Sequence, residues 1–193
     1  MDFITKVGSE IKDYFEDLAQ LRITVFRDYP YLYEGSIAYE MEYLQTYAQS
    51  DLGFLFAVYD NDRMVGATTA IPLMDETEEV KLPFRTIGLD LNRIFYFGES
   101  ILLKSHRGLG LGHRFFDERE AFAKSHGFEI TTFCSVDRGE NHELKPTDYR
   151  SNDVFWTKRG YTPQPNLVCE MSWVDIGQSQ STAKPLRFWL KTI

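Results

Sequence analysis

The stretch richest in chemistry runs from Glu99 through Ser-Ile-Leu-Leu-Lys-Ser-His to Arg107-Gly108-Leu109-Gly110-Leu111-Gly112-His113-Arg114. A strand-like segment, Ile94 to Leu103, leads into a glycine-rich turn, and Leu111, Phe115 and Phe122 then recur at helical spacing. A helix start presents unpaired N–H groups and a partial positive charge, and glycine lets an anion approach that backbone without a Cβ in the way. The segment therefore predicts a phosphate site, with Arg107 and Arg114 adding charge-assisted contacts. Two common phosphate loops fail on spacing. No Gly-Lys-Ser/Thr closes the run, and a G-x-G-x-x-G pattern begun at Gly108 needs its third glycine at 113, which is His. Glu99, eight residues before Arg107, is a carboxylate in a strand, where Glu is disfavoured.

The rest of the chain must hold that segment in place. With 193 residues, 43% hydrophobic and 26% charged, the composition is that of a globular protein, and this length buries roughly 70% of the unfolded surface without disulfides. No repeat, linker or low-complexity tract interrupts it, which predicts one domain over 1–193. Twenty-one Lys and Arg against 29 Asp and Glu leave a net charge of −8, opposing nucleic acid and anionic lipid and favouring a cationic or neutral substrate. No apolar run would span a membrane, and Met-Asp-Phe-Ile-Thr-Lys is unlike a signal peptide. Cys134 and Cys169 read as core thiols of a reduced, cytoplasmic protein. His106, His113, His126 and His142 lack zinc spacing, so no metal site is expected.

Phe3 to Val7 predicts a first strand. Ser9 predicts the cap of a helix to about Arg27 that buries Ile11, Phe15, Leu18 and Val25, with Asp28-Tyr29-Pro30 as its stop. Ser36 predicts the cap of a second helix burying Ile37, Met41, Leu44 and Ala48, with Glu40, Glu42 and Gln45 facing elsewhere. Phe54 to Tyr59 and Met64 to Leu73 predict strands about the turn Asp60-Asn61-Asp62, with Ile94 to Leu103 completing a meander. Leu111 to His126 predicts a helix closed by Gly127, Phe128 to Val136 a strand, and residues 137–150 a polar loop long enough to be functional. A short helix from about Asn152 to Arg159 ends at Gly160, and Leu167 to Ile176 pairs with Pro185 to Lys191 around Gly177 to Thr182. The apolar Phe188-Trp189-Leu190 closes the core by default, or else meets a second subunit in a homodimer.

The resulting order is β-α-α-β-β-β-α-β-α-β-β. That order, with Arg107-x-x-Gly110-x-Gly112 after a strand, resembles the GNAT N-acetyltransferase superfamily, whose Arg/Gln-x-x-Gly-x-Gly/Ala pattern binds the pyrophosphate of acyl coenzyme A. Phe155-Trp156-Thr157-Lys158-Arg159-Gly160-Tyr161 is similar to the family's aromatic-aromatic-x-x-x-Gly-aromatic helix beside the cofactor thiol. The resemblance covers essentially the whole chain. It implies an α/β (α+β) fold: a mixed, mostly antiparallel central sheet, two splayed parallel strands at 94–103 and 128–136, and helices on both faces. It also implies acetyl-CoA as co-substrate. Pyrophosphate would sit on the amides of Gly108, Leu109, Gly110, Leu111, Gly112 and His113 beside Arg107, and pantetheine would bond the main chain near Leu102, Leu103 and Lys104. Phe155 would lie by the thiol, and Asn141, with Asn152 as its rival, would bond the cofactor.

By the same resemblance the reaction is acetyl transfer to the primary amine of a small-molecule or amino-acid-like acceptor, by direct attack in a ternary complex. Glu99 would deprotonate the amine. The family's frequent general acid, a Tyr four residues before the second segment's glycine, is Trp156 here, so Tyr149, Tyr161 or water takes the role, and Tyr149 is our choice. The acceptor region carries Tyr29, Tyr31, Tyr33, Glu34, Glu40 and Glu42, of which Tyr31, Tyr33 and Glu34 are the candidate contacts, since aromatics with carboxylates suit an ammonium. Cys134 reads as core rather than as an acyl-cysteine. Trp156 leaves open a coenzyme A-binding module without transferase activity, and the fold also serves longer acyl chains or protein N-termini.

Overall fold

Phe54 to Val58 and Met64 to Pro72 are buried without interruption, a pattern that arises when helices cover both faces of a sheet. The computed structural model describes all of residues 1–193. Its strands are β1 (Asp2–Val7), β2 (Phe54–Asp60), β3 (Arg63–Pro72), β4 (Ile94–Leu102), β5 (Ile130–Val136), β6 (Thr162–Val174) and β7 (Ser181–Thr192), in the sheet order β1-β2-β3-β4-β5-β7-β6. Every neighbouring pair is antiparallel except β4 and β5. Those two run parallel for three residue pairs only, Ile94 with Ile130, Phe95 with Thr131 and Tyr96 with Thr132. Past that point each strand continues without the other, and the sheet opens.

Helices α1 (Phe15–Phe26), α2 (Ile37–Tyr43), α3 (Gln45–Gln49) and α4 (Glu78–Thr86) pack on one face, where Leu18, Tyr47 and Phe84 meet Leu55, Ile94, Tyr96 and Phe188. Helix α5 (Leu111–Ser125) and the short α6 (Asp153–Lys158) cover the other, where Phe115 and Phe116 meet Phe56, Phe95, Phe97 and Phe133. Phe188 and Trp189 are buried, one in each core, so this apolar segment closes the interior.

Several expectations are corrected. No side-chain cap forms at Ser9: Gly8 to Tyr14 is a 3-10 turn, and the α-helix begins at Phe15. The tighter winding carries Ile11, fully buried, into the core as the chain leaves β1. Ser36 does cap α2, its hydroxyl accepting from the Tyr39 N–H, but the second helix breaks at Leu44; of its expected face Leu44 and Ala48 are buried and Met41 packs on the core, whereas Ile37 is not buried. Glu40 is fully buried and Ile37 is exposed, because α2 turns Glu40 inward onto Arg22. Helix α4 was hidden by its charges and by Pro83. Burial of Val80 and Phe84 forms it nonetheless, with Glu78 paired outside to Lys81 and Arg85. Strand β6 begins at Thr162, earlier than its pattern suggests, because it is an edge strand held by β7 rather than by burial, and its register shifts between Pro163 and Val168.

One irregularity positions the site. Between the pairs Ala70 with Phe97 and Thr68 with Ser100, β4 has two residues, Gly98 and Glu99, opposite the single Thr69 of β3, which is a β-bulge. Phe95 and Phe97 lie in the α5-side core, and strict alternation would send residue 99 after them. The extra residue turns Glu99 to the α1 side with Ile101.

Candidate active site

The opening between β4 and β5 is a cleft of about 680 Å³, within the usual range for a small-molecule site. Its walls are Phe97 to Leu102 from β4, Phe133 to Val136 from β5, Phe115 and Phe116 from α5, and Phe155 and Trp156 from α6. Because the strands part after Tyr96 and Thr132, their facing backbone groups there have no strand partner.

At one end lies the glycine turn. Gly108 and Gly110 have φ of 81° and 80°, in the left-handed region, and a Cβ on either would meet nothing within 4 Å. The N–H groups of Gly108, Leu109, Gly110, Leu111 and Gly112 have no backbone partner, whereas that of His113 is engaged with Gly110 O at 3.0 Å. Five successive free amides at the start of a 15-residue helix form an anion cradle, so a pyrophosphate fits the residues present. Arg107 and Gly112 line the cleft beside it; Leu109 is exposed, and the His113 ring packs on Phe155 at 4.8 Å. Leu102 and Lys104 line the cleft too. Leu103 does not, and its N–H and C=O are engaged with Val65 O and His106 N. Asn141 lies in the exposed part of the long loop away from the cleft, whereas Asn152 is on its wall.

Glu99 is 6% exposed and lines the middle of the cleft. Its Oε2 accepts from Arg22 Nη1, while Arg22 Nε donates to Glu40 Oε2, so one guanidinium holds two buried carboxylates. Burial opposes the Arg22 charge, but Glu99, Tyr43 and Glu40 outweigh it and hold its pKa well above the ordinary arginine value. Glu99 Oε1 has no partner in the chain. On the opposite side of the bulge Arg119, 1% exposed, donates to Thr69 O, Glu99 O, Ser100 Oγ and Phe115 O. It has no carboxylate partner, and burial lowers its pKa to about 9, so it stays charged at neutral pH. Arg119 thus satisfies carbonyls that the bulge removes from the strand ladder, and it fixes how Glu99 is presented.

Beyond Glu99 the cleft is aromatic. Phe26, Tyr29, Tyr31 and Tyr149 line it, Tyr29 and Tyr149 packing edge to face at 4.7 Å. Burial, then Tyr29 and Asp153, raise the Tyr149 phenol pKa, so it remains a proton donor. Arg138 pins this end, donating to Pro30 O, Tyr31 O and both oxygens of Asp175. Of the expected acceptor contacts only Tyr31 faces the cleft. Tyr33 is buried against Glu40, and Glu34 pairs outside with Arg27. Cys134, expected in the core, is half-buried on the cleft wall with its sulfur 3.1 Å from the Tyr96 hydroxyl. Trp156 packs on Phe133 and Trp189, and Tyr161 is fully buried between Thr131 and Glu120.

Arg22 and Arg119 escaped the sequence reading although a signal existed: Arg22 follows Leu18, and Arg119 follows Phe115, by four residues on the buried side of their helices. Glu40, expected in the acceptor region, is instead fully buried on Arg22. Glu76 also escaped. It is 4% exposed, bonded to Tyr47, and burial raises its pKa from 4.5 to about 7. The folded pKa exceeds the unfolded one, so the stability that protonated Glu76 confers is complete below 4.5 and lost as pH rises through about 7. Between pH 8 and pH 5 the wild type is expected to gain about 2–3 kcal/mol that Glu76→Gln does not. Thermal melts of both proteins at the two pH values check this; parallel shifts would refute it.

No protein-family description and no curated protein matches the chain. Solved structures do. A ribosomal-protein-alanine N-acetyltransferase from Brucella melitensis superposes with a TM-score of 0.62 at 10% identity, covering 98% of this chain and 99% of its own. A GNAT-family acetyltransferase from Streptococcus pneumoniae gives 0.58 at 12% identity, covering 100% of both chains. An aminoglycoside 6'-N-acetyltransferase complexed with coenzyme A gives 0.57 at 20% identity, covering 100% of this chain and 97% of its own. At such identities the likeness is one of fold, and the fold of this chain is that of the GNAT acetyltransferases. No helix is long and apolar enough to cross a membrane.

Proposed function

From that GNAT fold we propose that the chain is an N-acetyltransferase, moving an acetyl group from acetyl-CoA to the primary amine of a small-molecule or amino-acid-like acceptor. The observation that carries the reading is a single cleft with five free amides at one end, a bulge-presented carboxylate in the middle and an aromatic wall at the other. Acetyl-CoA, when bound, supplies an activated thioester. The amides of 108–112 with Arg107 hold its pyrophosphate, and the open edges of β4 and β5 bond its amide chain as an added strand would. Phe155 and Trp156 exclude water near the thiol end. Tyr29 and Tyr31 orient the acceptor ammonium, and Glu99 takes a proton from it to free the attacking lone pair. Tyr149, whose phenol stays protonated, donates to the departing thiolate and regains a proton from the nitrogen as the amide forms. A cleft long enough for both substrates supports direct attack in a ternary complex.

Thermal unfolding with acetyl-CoA, coenzyme A, ATP and NAD tests the cofactor half. At about one hundred times its dissociation constant, acetyl-CoA is expected to raise the melting point by about 5–10 °C, with no such shift from ATP or NAD. Equal shifts from all four would refute the site. An amine panel with thiol release as readout tests the chemistry: coenzyme A binding without thiol release on any amine would favour a non-catalytic binding module.

A further inference from the structure

The polar centre around Arg22 continues beyond Glu99. On the α1 side of the bulge the Tyr47 hydroxyl stands against the backbone of Gly98, where a Cβ would lie 1.9 Å from it and 2.7 Å from Thr69 Oγ1. Residue 98 is glycine because that hydroxyl occupies the space. Tyr47 Oη is 3.1 Å from Tyr43 Oη and donates to Glu76 Oε1 at 3.3 Å. The Tyr43 ring lies 4.4 Å from the Arg22 guanidinium that holds Glu99. Glu76 Oε2 accepts from the Thr77 N–H at 2.8 Å, and the residue lines a polar groove with Ser50, Asp51 and Asp75 on the outside. A run of hydroxyls and carboxylates therefore leads from the cleft wall through the core to a second opening. At its near end Glu99 Oε1 and Thr69 Oγ1 have no partner in the chain; buried oxygens of that kind are ones an internal water serves, and such a water would complete the run to Glu99.

The chemistry requires such a route. Acetyl transfer to an ammonium forms one C–N bond, breaks one C–S bond and releases a proton: RNH3+ and CH3CO–SCoA give RNH–COCH3, HS–CoA and H+. That proton has to leave a cleft filled by both substrates. We propose that Glu76 is its outlet: Glu99 takes the proton from the ammonium, the Tyr43 and Tyr47 hydroxyls relay it, and Glu76 releases it to water in the groove beside Ser50 and Asp75. The proposal rests on the acetyl-transfer reading of the cleft. Facing Glu76 are Tyr43 from α2, Tyr47 from α3, Lys81 from α4, Tyr96 and Glu99 from β4, and Cys169 from β6. Burial holds the three phenols protonated and brings Glu76 to about 7, so Glu76 loads and unloads protons near neutrality.

The test compares wild type, Glu76→Gln and Tyr47→Phe with acetyl-CoA and the amine of the panel that turns over fastest. Both variants are expected to lower kcat by about tenfold or more without changing KM for acetyl-CoA, and to lose the limb of the pH profile near neutrality. Wild-type kcat and an unchanged profile in Glu76→Gln would overturn the outlet alone, whereas a wild type that turns over no amine would overturn acetyl transfer and the outlet together. Because Tyr47→Phe alters a packed core, infrared titration of the Glu76 carboxyl, identified by its loss in Glu76→Gln, gives a second measurement. The Glu76 midpoint is expected to fall in Glu99→Gln, as a negative charge is removed; an unmoved midpoint would count against communication between the two carboxyls.

Discussion

Glu99→Gln is expected to lower acetyl transfer by about 10²–10⁴-fold, while acetyl-CoA raises the melting point as it does in wild type. The two readouts separate because the structure separates their causes. The anion cradle is built from the amides of 108–112 on the turn before α5, none of which touches Glu99. Glu99 instead sits at the bulge of β4, turned to the α1 face, with Oε1 free and Oε2 held by Arg22. A glutamine there keeps the shape and an oxygen for Arg22, and loses the ability to take a proton. If Glu99 served only the fold, the variant would melt lower yet turn over normally per folded molecule. Initial rates at saturating acetyl-CoA, with melts of the same preparations, decide the matter.

Arg22→Met is expected to cost about 3–5 kcal/mol of stability, a fall in melting point of about 6–20 °C. Methionine fills much of the volume, so the cost is electrostatic. Glu40 is fully buried and Glu99 nearly so, and both depend on the one guanidinium for compensation. Removing it leaves two uncompensated carboxylates in the interior, whereas loss of the exposed Arg27–Glu34 pair by Arg27→Ala should cost no more than about 1 kcal/mol. Denaturant unfolding of the two variants side by side checks the contrast. Similar small losses in both would mean that water reaches the Arg22 centre. In the double variant Arg22→Met, Glu40→Gln, part of the loss should return, since one of the stranded charges is gone.

What the sequence determined by itself was what depends on neighbours in the chain. The glycine spacing at 108, 110 and 112, the helix after it and the alternating or continuous apolar runs of β2 to β5 are local signals, because backbone freedom and side-chain periodicity act within a few residues. They suffice for most of the elements and for the anion cradle, whereas the sheet arrangement and the splay were expected only from the resemblance. Tertiary structure decided the rest. Whether Glu99 enters the cleft depends on one extra residue opposite Thr69, a property of strand pairing. Its partner Arg22 is 77 residues away, and Arg119 reaches the same bulge from the other face. Asn152 rather than Asn141 faces the cleft because the long loop is pinned by Arg138 to the α1–α2 connection, at Pro30 and Tyr31. Buried charge is where single-residue pattern fails most. A charged side chain reads as exposed unless its counter-charge is known, and that counter-charge is brought by folding from another part of the chain.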